Sequence, residues 1–351
     1  MKKKILLALT TALVLGTTSQ TFAAPIDDEV TELRARLAQL ERRIAERDAR
    51  MEYESERVDD LERDINYRNS QSSWADKFNL TGELRYRFWG IKHSPDVSNL
   101  QLRLFPTFQI DDHFAVKSRI TGSYDMKNDS NATASMTYAY LESKFDNFQV
   151  NAGKMPLFTN ADGGLVADDF FSGLQFITGT DALKFYVNGG HWNKTSADYI
   201  GAEAVYDVND RVNVGAGYHY FKESDRKAQI AAAGTNIGLT DTLSLNAAVA
   251  HNSKASSHKT AYNVEADYRG AKRDEKGSWG AFAAYRYIGG DVGIAPTYDS
   301  FAQVTDKKGF DIGASFTPYN DTLLKLSYFH GKGLTTKEND RTIFARASIF
   351  F

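Results

Sequence analysis

The 351-residue chain contains no cysteine, which excludes disulfide scaffolds, thiolate metal sites and thiol nucleophiles. Proline is scarce at 6 residues, so little interrupts extended backbone. Neither sign of charge dominates: 42 Lys and Arg stand against 45 Asp and Glu, a net charge of −3, which argues against a chain-wide nucleic-acid-binding field or an acidic solvating tail. Mean hydropathy is −0.45. Beyond the first two dozen residues no apolar run reaches the roughly 18 to 20 residues that a membrane-spanning helix needs. What is abundant is glycine, at 26, and aromatic residues, at 13% with 22 Phe and 18 Tyr, a composition suited to many β-strands.

Residues 1–23 read as a secretory signal peptide. Lys2, Lys3 and Lys4 form a positive start, Ile5 to Leu15 an apolar stretch, and Thr21-Phe22-Ala23-Ala24 a small-residue cleavage site. The stretch is short for an uncleaved anchor. The mature chain is therefore expected outside the cytoplasm.

Residues 24–66 carry a heptad pattern. Ile26, Val30, Leu33, Leu37, Leu40, Ile44, Met51, Val58, Leu61 and Ile65 keep an unbroken 4–3 spacing once Arg47 and Glu54 count as polar members. The stretch 26–66 holds 14 acidic residues and 8 Arg, with no Gly or Pro. A helix this polar cannot bury its stripe alone, so the pattern predicts an α-helical coiled coil, a rod of roughly 60 Å at about 1.5 Å per residue. A single charged helix is the alternative. Ile and Val recur in one row of the seam and Leu in the other, which favours two strands. Residues 67–77 lose the period and read as a polar linker.

From Phe78 to Phe351 the period is two. Phe78, Leu80, Leu84, Tyr86 and Phe88 alternate with Asn79, Thr81, Glu83, Arg85 and Arg87, and the same design recurs along the chain. It predicts strands over 78–90, 99–110, 114–124, 133–145, 148–155, 170–178, 183–192, 197–208, 212–222, 227–239, 243–252, 259–270, 278–288, 309–317, 322–331 and 340–351. Even-to-odd connections are short turns; the others are on average longer. That asymmetry marks an all-β transmembrane barrel of about sixteen antiparallel strands, with apolar residues facing lipid. Trp74, Phe78, Phe88, Trp89, Phe145, Phe148, Tyr206, Phe316, Tyr319 and Tyr328 crowd strand ends as interfacial girdles would. A soluble β-sandwich shows the same alternation with its faces reversed.

With the apolar set facing lipid, parity sends Glu83, Arg85, Arg87, Arg103, Lys117, Arg119, Lys184, Glu203, Glu265, Asp267, Arg269, Arg286, Asp311, Lys325 and Arg346 to the lumen. Each would cost about 2 to 4 kcal/mol facing lipid near the midplane. The set implies a wet interior, and its ten cations against five acids predict a mild anion preference.

The last strand, Thr342-Ile343-Phe344-Ala345-Arg346-Ala347-Ser348-Ile349-Phe350-Phe351, resembles the terminal assembly signal of outer-membrane barrels, with Phe351 as its final aromatic. With the strand count, the chain resembles the sixteen-stranded general porins, and the heptad segment resembles porin families that carry an N-terminal periplasmic coiled coil. The resemblance implies a homotrimer in the outer membrane of a diderm bacterium, handled by the barrel assembly machinery, with both chain ends and the stalk in the periplasm. It also implies that the loop after the fifth strand, 156–169, folds into the barrel and sets Asp162, Asp168 and Asp169 against Arg85, Arg87, Arg103, Lys117 and Arg119 as a constriction. The implied function is passive diffusion of small hydrophilic solutes and ions. Two alternatives stand beside it: a tether from outer membrane to peptidoglycan through the stalk, and a porin selective for phosphate or sugar.

Catalytic signatures are missing. His93, His113, His191, His219, His251, His258 and His330 show no metal-pair spacing, and neither a nucleophile elbow nor a phosphate-cradling loop occurs. Asp125 with Asn128-Asp129-Ser130-Asn131 is a weak calcium-loop candidate. The chain is read as a non-enzyme with no cofactor and no nucleic-acid partner.

Overall fold

The computed structural model describes residues 23–127, 132–192, 197–224 and 226–351. The signal-peptide segment 1–22 and the Asn128–Asn131 loop lie outside the described residues, as do the side chains of Val30, Leu33 and Trp74. The chain divides into two units at Trp74/Ala75.

The first unit carries the helix α1, Ala23–Asp76. It runs unbroken past residue 66 because Arg, Asn, Gln and Ser are compatible with helix where no Gly or Pro intervenes; the polar linker read over 67–77 is instead helical as far as Asp76. Leu37, Leu40, Ile44, Met51, Val58, Leu61 and Ile65 are all more than half exposed along it. Exposed Glu32–Arg36 and Arg50–Glu54 pairs, at 2.7 and 3.3 Å, decorate the polar faces and contribute only a few tenths of a kcal/mol each, about 0.3–0.5. No helix among the described residues is long and apolar enough to cross a membrane.

The second unit is a closed barrel of sixteen antiparallel strands, each hydrogen-bonded to its sequence neighbours, with β1 paired to β16. The strands are β1 Phe78–Ile91, β2 Val97–Gln109, β3 Phe114–Asp125, β4 Thr133–Lys144, β5 Phe148–Phe158, β6 Asp168–Gly179, β7 Leu183–Trp192 and β8 Ala197–Asn209. They continue as β9 Val212–Glu223, β10 Arg226–Gly238, β11 Leu243–Asn252, β12 Thr260–Arg269, β13 Trp279–Ile288, β14 Lys307–Phe316, β15 Thr322–Gly333 and β16 Asn339–Phe350. All sixteen predicted strands are present. Phe351 finishes the closure, since its N–H donates to the Gly82 carbonyl at 3.0 Å and its carbonyl accepts from Gly82 N–H at 2.7 Å. At the β2–β3 turn, Asp111 accepts from the N–H groups of His113 and Phe114 at 2.8 and 2.9 Å, which holds its carboxyl below the ordinary range.

Exposure is inverted relative to a soluble sandwich. Leu102, Leu174, Ile200, Val249, Ile312, Leu326 and Ile343 are exposed on the outer wall, whereas Glu83, Asn188, Glu203, Arg286 and Asp311 are buried inside. An apolar surface of this extent suits lipid and not water. Aromatic rims flank it: at the short-turn end Phe145 stacks on Phe148 at 4.8 Å and Phe148 on Phe176 at 5.8 Å. Three expectations change. Tyr328 lies in the middle of β15 and not at a strand end. Trp89 shares the parity of Arg85 and Arg87 and points into the lumen, 2% exposed, and is no girdle residue. Arg269 adopts a left-handed φ of 57°, which breaks the alternation and swings its guanidinium over the rings of Tyr268 and Trp279, each at 5.5 Å.

The wall assignment predicts opposite outcomes for two arginine substitutions. Leu326→Arg, on the outer face of β15, lowers folding stability in lipid by about 2–4 kcal/mol. Ser315→Arg, on the inner face of β14, costs far less. Urea titration of the barrel in vesicles measures both.

Candidate functional site

Two loops leave the same rim of the barrel and fold into it. Residues 159–167, between β5 and β6, press against the inner wall of β8 to β11. Glycine makes that approach possible: a Cβ at Gly215 would meet Ala161 Cα at 2.6 Å, and one at Gly234 would meet the Ala161 carbonyl at 2.7 Å. Glu203 of β8 accepts from the Ala161 N–H at 2.8 Å and pins the loop to the wall. Within the loop, Gly163 and Gly164 take φ values of 62° and 78° and turn the chain sharply.

The second loop, 289–306, lies between β13 and β14. It joins the first through backbone hydrogen bonds: Ile294 N–H and Ala295 N–H donate to the Val166 carbonyl at 3.0 and 3.1 Å, Thr297 N–H to Gly164 at 2.9 Å, and Asp168 N–H to Ala295 at 2.7 Å. Its helical turn Asp299–Phe301 sits near β15 and β16. Three anchors hold it. Trp89 Nε1 donates to the Asp299 carbonyl at 2.9 Å. Ser300 Oγ donates to Asp311 at 2.5 Å. Phe301 lies under the Lys307 ammonium at 4.9 Å, while that ammonium also reaches Asp340 at 3.2 Å. Tyr298 covers the Arg286 guanidinium at 4.1 Å, and burial pushes its phenol well up from the ordinary value.

Charge on the remaining wall is segregated. Lys325 of β15, Arg346 of β16 and Arg87 of β1 lie in one cross-strand row, Lys325 opposite Arg346 and Arg346 opposite Arg87. Like charges in direct opposition destabilise a sheet. Asp299 lies over part of that row, 2.7 Å from Lys325 and 3.9 Å from Arg346. Arg85 and Arg103 share Glu83 at 2.7 and 3.6 Å, and Lys117 pairs with Glu142 at 2.9 Å. Arg87 and Arg119 have no carboxylate within 4.0 Å among the described residues; Arg119 lies against the rings of Tyr138 and Phe170 at 5.3 and 4.7 Å. The wall of β8 to β14 carries Glu203, Glu265, Asp267 and Asp311, with Arg286 bound to Glu265 and, at 2.6 Å, to Asp311. Between the loops and this acidic wall lies a cavity of about 580 Å³ whose lining includes Asn213, Asn236, Asn246, Asp267, Lys325 and Arg346.

The five cations read from sequence, Arg85, Arg87, Arg103, Lys117 and Arg119, share one arc of the lumen wall. The three loop acids part company. Asp162, 1% exposed, accepts from Thr159 Oγ1 at 2.6 Å and from Leu165 N–H at 2.8 Å, and lies 3.7 Å from His219 of β9. It stiffens its own loop and does not face the arginines, because a carboxylate folded into the bend finds backbone donors there. Asp169 accepts from Trp192 Nε1 at 3.2 Å. Asp168 accepts from Thr297 Oγ1 at 2.8 Å and is within electrostatic reach of Arg119. Asp299, Lys307, Tyr298 and the inward course of 289–306 escaped the sequence reading; the only signal was that this connection is the longest. Among the described residues no group of three or more His, Asp or Glu is placed to hold a metal ion.

Asp162→Ala removes the acceptor at 2.6–2.8 Å and leaves Thr159 Oγ1 and Leu165 N–H only their 3.3 Å bonds to the Ala167 and residue-162 carbonyls, at about 0.5–1.5 kcal/mol each. The expected result is a loosened 159–167 loop, with larger and noisier single-channel conductance and unchanged strand content by circular dichroism.

Searches for a matching family model and for a matching curated protein found none. Solved structures do match. An engineered porin of Rhodopseudomonas blastica is 13% identical with a TM-score of 0.55, over 78% of this chain and 100% of that one. OmpF of Salmonella typhi, solved in complex with daunomycin, is 13% identical with a TM-score of 0.54, over 78% of this chain and 97% of that one. At such identity the likeness is one of architecture, and it is that architecture which the closed barrel establishes: the chain has the sixteen-stranded fold of the general porins.

Proposed function

We propose that the protein is a passive diffusion channel of the outer membrane for small hydrophilic solutes and ions. The observation that carries this reading is a charged inner wall enclosed by an apolar outer wall in a closed barrel, narrowed but not filled by two inward loops. Sixteen strands enclose a space wide enough for water. No bond is made or broken; width sieves, and charge filters. Arg87 and Arg119 on one side, with Asp267 on the other, set a transverse field that orders water and favours polar, charge-bearing solutes. β1 enters and β16 leaves at the short-turn rim, so that rim faces the periplasm in this reading.

The seam of α1 supports self-association. Its exposed Leu37, Leu40, Ile44, Met51, Val58, Leu61 and Ile65 form a stripe that a partner helix of another copy would cover. The proposed assembly is a trimer of barrels, and Phe351 is proposed as its assembly signal. Leu40→Asp with Leu61→Asp is expected to lower the mass of the detergent-solubilised assembly measured by light scattering, leaving each barrel folded.

Planar-bilayer recording of the purified protein tests the channel. Stepwise, ohmic conductance with a mild anion preference, read as reversal potential in a salt gradient, is the expected outcome. Asp299→Asn exposes Lys325 and Arg346 and moves the reversal potential further toward anions. A protein that inserts without conducting ions refutes the reading.

A further inference from the structure

The outer wall carries a second charge cluster, at the rim from which the inward loops depart. By strand parity Lys92, Lys308, His330, Lys332 and Arg341 face outward there, and all are exposed. They sit together across β14, β15, β16 and the end of β1. Lys308 is the cross-strand partner of Lys332 and His330 that of Arg341, while Lys92 N–H donates to the Arg341 carbonyl at 2.9 Å.

None of the four Lys and Arg side chains reaches a carboxylate within 4.0 Å among the described residues. Their contacts are with neutral groups: Lys92 Nζ donates to the Asn339 carbonyl at 3.3 Å, and Lys308 Nζ lies 5.8 Å from the Tyr287 ring. Two of the nearby acids are engaged elsewhere. Asp340 pairs inward with Lys307 at 3.2 Å, and Asp306 faces His258 at 3.3 Å. On the outer face of the far wall, by contrast, Lys222 of β9 stands opposite Asp198.

Unrelieved cations in direct opposition weaken a sheet, so an anion supplied from outside is the natural complement. Directly below them, toward mid-barrel, lie outward-facing Phe310, Tyr328 and Ile343. A ligand that satisfies both layers has phosphates at one end and hydrocarbon at the other. Four adjacent strands spaced at about 4.8 Å spread the cations over roughly 14 Å, more than one phosphate covers.

We propose that this rim binds a bis-phosphorylated lipid headgroup of the adjoining leaflet, the phosphates on Lys308, Lys332, Arg341 and Lys92 and the acyl chains on the apolar belt. The proposal rests on the barrel lying in a membrane as read above. The test reconstitutes full-length protein into phosphatidylcholine vesicles, alone or with bis-phosphorylated lipid A or its fully dephosphorylated form. Native mass spectrometry after mild detergent extraction then counts the lipid retained.

The expected result is selective retention of the bis-phosphorylated lipid. The triple variant Lys308→Glu, Lys332→Glu, Arg341→Glu loses it, while Lys222→Glu on the far wall keeps it. Bilayer conductance of the triple variant shows that it is folded; should it fail to fold, Lys332→Gln alone takes its place, with a partial loss expected. Equal retention of phosphorylated and dephosphorylated lipid overturns the proposal, as does undiminished retention by the variant. Cross-links between copies through Lys332 in the native membrane also overturn it, by assigning the patch to a second copy. Wild-type protein that binds the lipid without conducting leaves the lipid site standing and refutes only the channel.

Discussion

Hydrocarbon offers a peptide group no hydrogen-bond partner, and each unpaired N–H or C=O at membrane depth costs several kcal/mol. A sheet that crosses lipid therefore has to close on itself. Here closure falls to β1 and β16, paired from Glu83–Phe350 to Ile91–Thr342, with Phe351 adding two further bonds to Gly82. The rest of the molecule follows from that ring. Once every backbone group is used within the wall, one side of each strand must suit lipid and the other is left to enclose solvent.

The enclosed side then meets a second constraint, because charges placed inside a barrel remain close to one another. The wall handles this in two ways. Some cations are paired in place, as Arg286 is with Glu265 and Asp311, or share one carboxylate, as Arg85 and Arg103 share Glu83. Others are left open to the lumen, as Arg87 and Arg119 are, or are partly covered by an incoming loop, as Lys325 and Arg346 are by Asp299. The two loops brace each other through backbone bonds, so the narrowing is a joint structure: loosening 159–167 removes support from 289–306 as well.

Strand existence and facing were legible because a two-residue period over a dozen residues has few other readings. Where local geometry breaks the period, parity fails: Arg269, with its left-handed φ, is assigned inward by counting and lies outside. Aromatic residues at strand ends were similarly ambiguous. Phe145 and Phe148 belong to the outer rim, but Trp89 follows the parity of Arg87 into the lumen, where it anchors Asp299. The end of the helix was misread for a different reason, since a polar stretch without heptads can still be helical.

The amino-acid sequence by itself determined the alternation, the strand number and the placement of charge on the inner wall, because these depend on residues two apart in the chain. It also determined the exposed seam of α1, a matter of local periodicity. Only the tertiary structure decided which acid meets which cation. Asp162 turns back into its own bend, Asp299 arrives on an inward loop to meet Lys325 and Arg346, and Lys308 comes to face Lys332. Those pairings depend on strand register and on the paths of inward loops, and both are set by backbone hydrogen bonds that leave no periodic trace in the chain.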